Sequence, residues 1–410
     1  MAPTDQPQAM SADPRRLRGS NQQGLRAHNE RAVLSLLRRA GPLAKAELAR
    51  RIGLSPQTIT VIIRALEEQQ LLERGEPVRG RIGQPSVPIS LRADGARFLG
   101  LKIGRRSAEL VLIDFLGRIT DRSHLVYPFP TPVGITAFVE QEVARMRMTL
   151  PADAWRRVAG LGVAMPYRIW EIIEFDWAPR SEMDAWRDRD LLAAFEHRLG
   201  LPVFFENDGS AACAAELVLN AGNTPSSFLY FYIGYFTGGG LVLNDRLFVG
   251  TYGNAAALGP ILVPGGGGGE CGVIPLLRVA SLASLEAIAQ GRGEDTESLW
   301  RRPDHWRIGP ESLALWLDEA SRGLAHAILT ANAVLDVDTV MIDGWMPAPV
   351  RAELVTATAG RLRVLDSRWL TVPTLREGTF GPDARPLGAA SLPLSERYLV
   401  DPRAMLKQTG

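Results

Sequence analysis

The sequence predicts an α/β chain with an N-terminal winged helix-turn-helix followed by a duplicated, two-lobed body. Three observations carry that expectation. Between Pro14 and Pro85, fourteen Lys and Arg face six acids, although the whole 410-residue chain carries only +1. The same basic segment holds three helical patterns in succession, and from Arg97 onward the texture changes to alternating strand-like runs separated by turns. The length exceeds what one hydrophobic core usually organises, while 46 % hydrophobic and 22 % charged residues are ordinary figures for a globular chain.

Residues 1–20 have no apolar core of a signal peptide and read as a disordered tail, so a cytoplasmic location is expected. The longest apolar runs, LYFYIGYF and AILTANAVL, stop short of the ~20 residues that span a membrane. A DNA-binding head is expected over 21–92. NERAVLSLLRRAG is amphipathic and stops at Gly41-Pro42; AKAELARRIG is a short helix ending at Gly53. LSPQTITVIIRALEEQQLL opens with Ser55 as N-cap and Pro56 at the first helical position, and its pattern runs to Leu71-Leu72. The tight turn Gly53-Leu54-Ser55 joins the last two, and the second helix of such a pair enters the major groove by its N-terminal end. Gln57, Thr58 and Thr60 are the polar side chains placed there; Ser55, Arg64, Arg79 and Arg81 complete the set expected at DNA. LLERGEPVRGRIGQPSVPISL reads as two strands around a tip holding Arg79, Gly80, Arg81, Gly83 and Pro85, a wing whose arginines suit a narrow minor groove. A linker whose arginines touch nothing is the alternative, as a solvated face is for the +8 charge of the segment.

The body, 93–410, starts with three alternating runs (RFLGLKIG, SAELVLIDF, RITDRSHLVYPF), then the helical TAFVEQEVARMRM and the buried-strand run VAGLGVAMP. A second set opens with FLYFYIG and LVLNDRLFVG and continues through long helices, the strand TVMID, another helix and the strand LTVPTL. Two such units suggest a duplication with a ligand cleft between lobes. GGGGGE at 265–270 reads as a flexible loop without a ligand. Cys213 and Cys271 are too few for a disulfide framework, and His28, His124, His197, His305 and His326 show no ligand spacing, so no metal is expected.

The head followed by LGLKIG, GLGVAMP, LPVFFENDGSAACAAE, GYFTGGGLVLNDRLFVG, GNAAALG, ASLEAIA and LDVDTVMIDG resembles the ROK family of repressors and sugar kinases, in its winged-helix repressor branch, from about Asn21 to Tyr398. The resemblance implies an actin-like ATPase fold, a sugar cleft, and dimers or tetramers reading palindromic operators. Asp208 matches the family's catalytic base; Asn207 and Asp208, beside Glu206, match positions that bind sugar hydroxyls, and Trp186 stands where a tryptophan can wall the pocket. An Asx turn capping the next helix is the competing reading of Asn207-Asp208, and a core position that of Trp186.

The chain departs from the kinase pattern where ATP would sit. In place of Asp-x-Gly-Gly-Thr it has Lys102-Ile103-Gly104-Arg105-Arg106, which removes the acid near magnesium and the small residues that let amides approach phosphate. Gly104 and Arg105 are remnants of that first loop; Thr237, Gly238, Gly239 and Gly240 keep the second, but beside Tyr235 and Phe236. Of the family's zinc ligands only Cys271 remains, and its sugar-binding glutamates fall on Ala257 and Arg278. The expectation is therefore a DNA-binding regulator, a repressor of carbohydrate uptake or catabolism genes, with Asp208 a vestigial base, no cofactor, and a sugar, polyol or sugar phosphate as effector. Its partners are an operator duplex and copies of itself, as homodimer or homotetramer. An active ROK-type sugar kinase carrying a DNA-binding domain is the alternative, and a scaffold with an empty pocket a third reading.

Overall fold

The computed structural model describes residues 22–77, 87–170, 179–187, 190–220, 222–265, 272–365 and 367–400. The head contains α1 (Gln22–Ala40), β1 (Leu43–Ala44), α2 (Lys45–Ile52), α3 (Pro56–Glu68), β2 (Leu72–Arg74) and β3 (Pro88–Leu91). Helix α2 ends because Gly53 takes the left-handed conformation at φ +76°, which glycine adopts without a Cβ penalty. Ser55 then caps α3 by accepting the Thr58 amide at 3.1 Å. The expected turn is present, but α3 is shorter than its pattern. It stops at Glu68 because Gln70 turns to φ 60° and sends Leu71 and Leu72 into the core, Leu72 as the first residue of β2. Strand β3 pairs antiparallel with both β1 and β2, the sheet of a winged helix. Arg79, Gly80, Arg81, Gly83 and Pro85 of the expected wing tip lie outside the described residues, as do the N-terminal tail, residues 266–270 of the glycine run, and Cys271.

Lobe I is built from β4 (Arg97–Ile103), β5 (Ser107–Asp114), β6 (Ile119–Val126), α4 (Pro132–Thr149), α5 (Ala152–Trp155), β7 (Val158–Met165), α6 (Arg180–Asp184), α7 (Leu191–Leu199) and β8 (Val203–Asn207), and leads into α8 (Asp208–Leu219). Lobe II comprises β9 (Phe228–Ile233), β10 (Thr237–Leu243), β11 (Arg246–Leu247), β12 (Leu262–Pro264), β13 (Val273–Pro275), α9 (Leu282–Gly291), α10 (Glu297–Arg301), α11 (Pro310–Leu335), β14 (Thr339–Gly344), α12 (Ala348–Val364) and β15 (Thr374–Glu377); α13 (Ala384–Tyr398) closes the chain. The two five-stranded sheets repeat one plan, β6-β5-β4-β7-β8 and β11-β10-β9-β14-β15. In each, a hairpin-linked antiparallel triplet continues into two parallel strands reached by crossovers. The last strand starts later than LTVPTL suggested, after Pro373, which has no amide to donate to a ladder.

Helices α8 and α13 lie between the sheets, packed to backbone contact. A Cβ on Gly388 would stand 1.8 Å from the Ala211 carbonyl oxygen, and one on Gly162 of β7 would stand 1.7 Å from that of Ala389. The head is fused to lobe I by a continuous core in which Val33, Leu34, Leu37, Ile59 and Leu66 join Phe98, Phe115 and Leu394. Phe98 and Phe115 meet the Tyr398 ring edge-on at 5.7 and 5.1 Å. The Arg38 guanidinium covers the Phe115 ring and donates to its carbonyl. Burial holds Arg38 down to about 10, still a cation at neutral pH. Lobe II is reached from the head by the exposed ion pair Arg39–Asp245, at 2.9 Å.

The contact at Gly162 makes a direct prediction. Gly162→Ala forces its methyl into the α13 backbone and is expected to cost about 3 kcal/mol, at the upper end of over-packing penalties. A thermal melt reads this as a drop of several degrees; an unchanged melt would mean that α13 does not sit this close to β7.

Candidate functional site

On the head, Ile59, Ile62, Ile63 and Leu66 of α3 are buried, so Gln57, Thr58, Thr60, Val61 and Arg64 occupy the opposite, exposed face. Not all of them are equally available. The Thr58 hydroxyl lies 2.8 Å from the Ser55 hydroxyl in the cap, and the Thr60 hydroxyl donates to the Pro56 carbonyl at 2.8 Å. Gln57 and Val61, one helical turn apart, and Arg64, in a loose exposed pair with Glu68 at 3.2 Å, extend furthest from the fold. Val61, 60 % exposed, was not singled out from the sequence; a large apolar residue in the exposed stripe of a helix-turn-helix was the signal, because thymine offers a methyl group in the major groove.

In the body, Glu206 and Asn207 end β8 and Asp208 begins α8. Asn207 is the N-cap, its carbonyl oxygen accepting the Gly209 and Ser210 amides at 3.0 and 3.4 Å. The Asx-capping reading therefore holds for the side-chain oxygen of Asn207. Glu206 accepts the Asn207 amide at 2.8 Å, and burial raises its pKa. Asp208 is buried and pairs with Arg385 at 3.3 Å. Trp186 does not join this group: it packs in the lobe I core with Ile169, Met183 and Phe195, and its indole nitrogen donates to the Pro130 carbonyl at 3.1 Å. The pocket-wall expectation for Trp186 is corrected accordingly, since the ring's polar edge is satisfied inside the core.

The two segments matched to the kinase phosphate loops face each other across the cleft with bulky and charged side chains. Lys102, at the end of β4, is buried and donates to the Ser107 hydroxyl at 2.8 Å, with Glu109 at 3.4 Å. Four cations lie over aromatic rings, three of them reaching from the β4–β5 region and the fourth from α13. Lys102 is 5.3 Å from the Trp345 ring centre, Arg105 4.7 Å from Phe236, Arg106 5.5 Å from Trp300 and Arg385 4.1 Å from Tyr232. Arg106 also meets Glu286 at 3.5 Å. The remaining cavity has a volume of about 20 Å³, room for roughly one water. Across the cleft, the Thr237 hydroxyl donates to the Ala280 carbonyl. Gly239 and Gly240 are explained by packing, since a Cβ would stand 2.3 Å from the Tyr230 carbonyl oxygen and from Cys213 respectively; Gly238 alone faces open space.

The paired sheets, the shared helices and this cleft correspond to a known sequence profile. The profile of the ROK family matches residues 98–392, and that of a winged helix-turn-helix DNA-binding domain matches 26–73. The chain belongs to the ROK family. It is similar to the transcriptional regulator Mb0495 of Mycobacterium bovis, 27 % identical over 92 % of this chain and 87 % of that one. It is also similar to the DNA-binding transcriptional dual regulator NagC of Escherichia coli, 23 % identical over an alignment spanning 63 % of each chain. The crystal structure of a ROK family transcriptional regulator, a homologue of the E. coli MLC protein, superposes with a TM-score of 0.65 at 21 % identity, covering 92 % of this chain and 98 % of that chain.

Within this ROK chain the structure adds groups that the sequence reading left unmarked, among them Arg385, Glu109, Glu286, Trp300 and Trp345. Arg385 had a signal: a basic residue in the first turn of a helix opposes the helix dipole and calls for another partner, here Asp208. Among the described residues no group of acids, cysteines and histidines is arranged to hold a metal ion, and no helix is long and apolar enough to cross a membrane.

The exposed stripe of α3 sets two contrasting expectations for DNA binding. Arg64→Ala is expected to weaken binding to any duplex and to lower the slope of log K against log salt by about 0.9, one phosphate contact. Gln57→Ala is expected to cost ~1–3 kcal/mol at a single base pair and little elsewhere. Fluorescence anisotropy on a bound site and its single-base variants, at fixed salt and across a salt series, separates them.

Proposed function

We propose that the protein is a transcription regulator, a repressor of carbohydrate uptake or catabolism genes, whose kinase-like body works as an effector sensor and not as an enzyme. The observation that carries this reading is the combination of a winged-helix head fused to lobe I with an interlobe cleft in which the protein's own cations lie on aromatic rings. A kinase must admit ATP with magnesium and stabilise charge on a transferring phosphoryl group. Lys102 stands where a carboxylate would hold the metal, and Arg105 and Arg106 replace the small residues that let backbone amides approach phosphate.

The Asn207 amide and the Asp208 carboxylate, with Glu206 behind them, supply the donors and acceptors that suit carbohydrate hydroxyls. A sugar, polyol or sugar phosphate bound there bears on α8, which packs against both α13 and β10. A change in lobe angle then moves the head. Two or four copies reading a palindrome convert that movement into a change in half-site spacing. Relatives whose names describe DNA-binding regulators support the same reading.

The kinase alternative retains one favourable observation, a buried carboxylate at the start of α8 in the place of the catalytic base. A direct test is to select bound duplexes from a random-sequence pool with the full-length protein, then to challenge the complex with a carbohydrate panel. Palindromic sites released by one carbohydrate class are expected, with ATP and magnesium giving neither turnover nor thermal stabilisation. Sugar phosphorylation that disappears in Asp208→Ala would replace the sensor reading with the kinase.

A further inference from the structure

Three buried donors without a partner belong to residues around one small cavity. Lys102, Gly104, Arg105, Ser107, Tyr232 and Arg385 border it. Among the described residues, the Nε atoms of Arg105 and Arg385 and the hydroxyl of Tyr232 find no hydrogen-bond partner. Leaving such groups dry and unpaired is costly, and in native folds it marks a strained site or a missing ligand.

The charge around the cavity is also unbalanced. Lys102, Arg105 and Arg385 are all buried, and the carboxylates facing them are Asp208, against Arg385, and Glu109, against Lys102. The two guanidiniums thus share a single facing carboxylate, Asp208. Arg106, at the mouth, is balanced by Glu286. Burial lowers Arg105 to about 10, which leaves it charged at neutral pH. Guanidinium and ammonium groups donate only, and Tyr232, whose ionisation burial pushes upward, remains a donor as well. A surplus of buried donors and of positive charge selects an acceptor that is itself negative.

We propose that this cavity is a metal-free receptor for the oxyanion group of the effector, a carboxylate or a phosphate ester carried on a small polyol. The proposal rests on the sensor reading of the cleft and specifies its ligand. The polyol reaches Asn207 and Asp208 while its anionic end takes Arg105, Arg385 and Tyr232. The cavity as it stands holds about one water, so the anion enters only as Arg105 and Arg385 slide off the Phe236 and Tyr232 rings of lobe II. Binding thereby loosens the contacts that hold the lobes together.

The test uses the full-length protein in low-salt buffer, with thermal shift read against acetate, inorganic phosphate, glucose, glucuronate and glucose 6-phosphate. At least one anion is expected to raise Tm by about 3 °C or more at saturation, with neutral glucose giving less. A carboxylate-selective response names acids and a phosphate-selective response names esters. Tyr232→Phe, which keeps the packing, is expected to leave the unliganded Tm unchanged or higher and to weaken the anion several-fold. Arg105→Gln, which also gives up the contact with the Phe236 ring, is expected to abolish the shift, read against that variant's own unliganded Tm. Absence of any anion effect in the wild type, or an effect equal in both variants, overturns the proposal. Release of DNA by neutral carbohydrates without an anion effect would overturn it while leaving the sensor reading in place.

Discussion

Cations laid on aromatic faces across the interlobe cleft are the interaction on which the rest of the body depends. Each such contact contributes about 0.5 to 2 kcal/mol, more when water is excluded. Four of them in one cleft join β4, the β4–β5 turn and α13 to β9, the β9–β10 turn, α10 and the segment after β14. The same side chains therefore tie lobe I and α13 to lobe II, while α8 and α13 are held by the close backbone approaches at Gly388 and Gly162.

Much of this was legible in the sequence, for identifiable reasons. Gly53, Ser55 and Pro56 act locally, so the helix-turn-helix and its cap could be placed to the residue. Of the strands from Arg97 onward, β6 alternates in burial and so writes its faces into every second residue, whereas β4, β5, β7 and β9 are buried on both faces and were legible as short apolar runs between turns. The unusual charge and size of the β4–β5 turn were visible at Lys102, Arg105 and Arg106. Where local pattern misled, a neighbour decided: Leu71 and Leu72 extend the helical period of α3, yet the core of the head takes them as the start of a strand.

The cleft was less legible because its meaning lies in pairings between distant segments. Arg105 and Phe236 are unremarkable residues until two lobes bring them to 4.7 Å. Asp208 could be matched to a base by its motif, but its partner Arg385 stands far along the chain in a helix that no motif marked. Trp186 shows the converse, since a tryptophan near a pocket in sequence was claimed by the nearest core. Gly239 and Gly240 likewise looked like a cradle for phosphate and are required by close packing, against the β9 backbone at Tyr230 and the Cys213 side chain of α8.

The junction between head and body has a mechanical consequence. The head shares a core with lobe I, whereas its contact with lobe II at Asp245 is an exposed ion pair, weak and screened over ~8 Å at physiological ionic strength. Lobe I and the head thus turn as one rigid lever, and the β10–β11 turn is a detent that the lever can leave at little cost. A rotation between the lobes would carry the head with lobe I and part Arg39 from Asp245. High ionic strength removes the detent while leaving the lever intact.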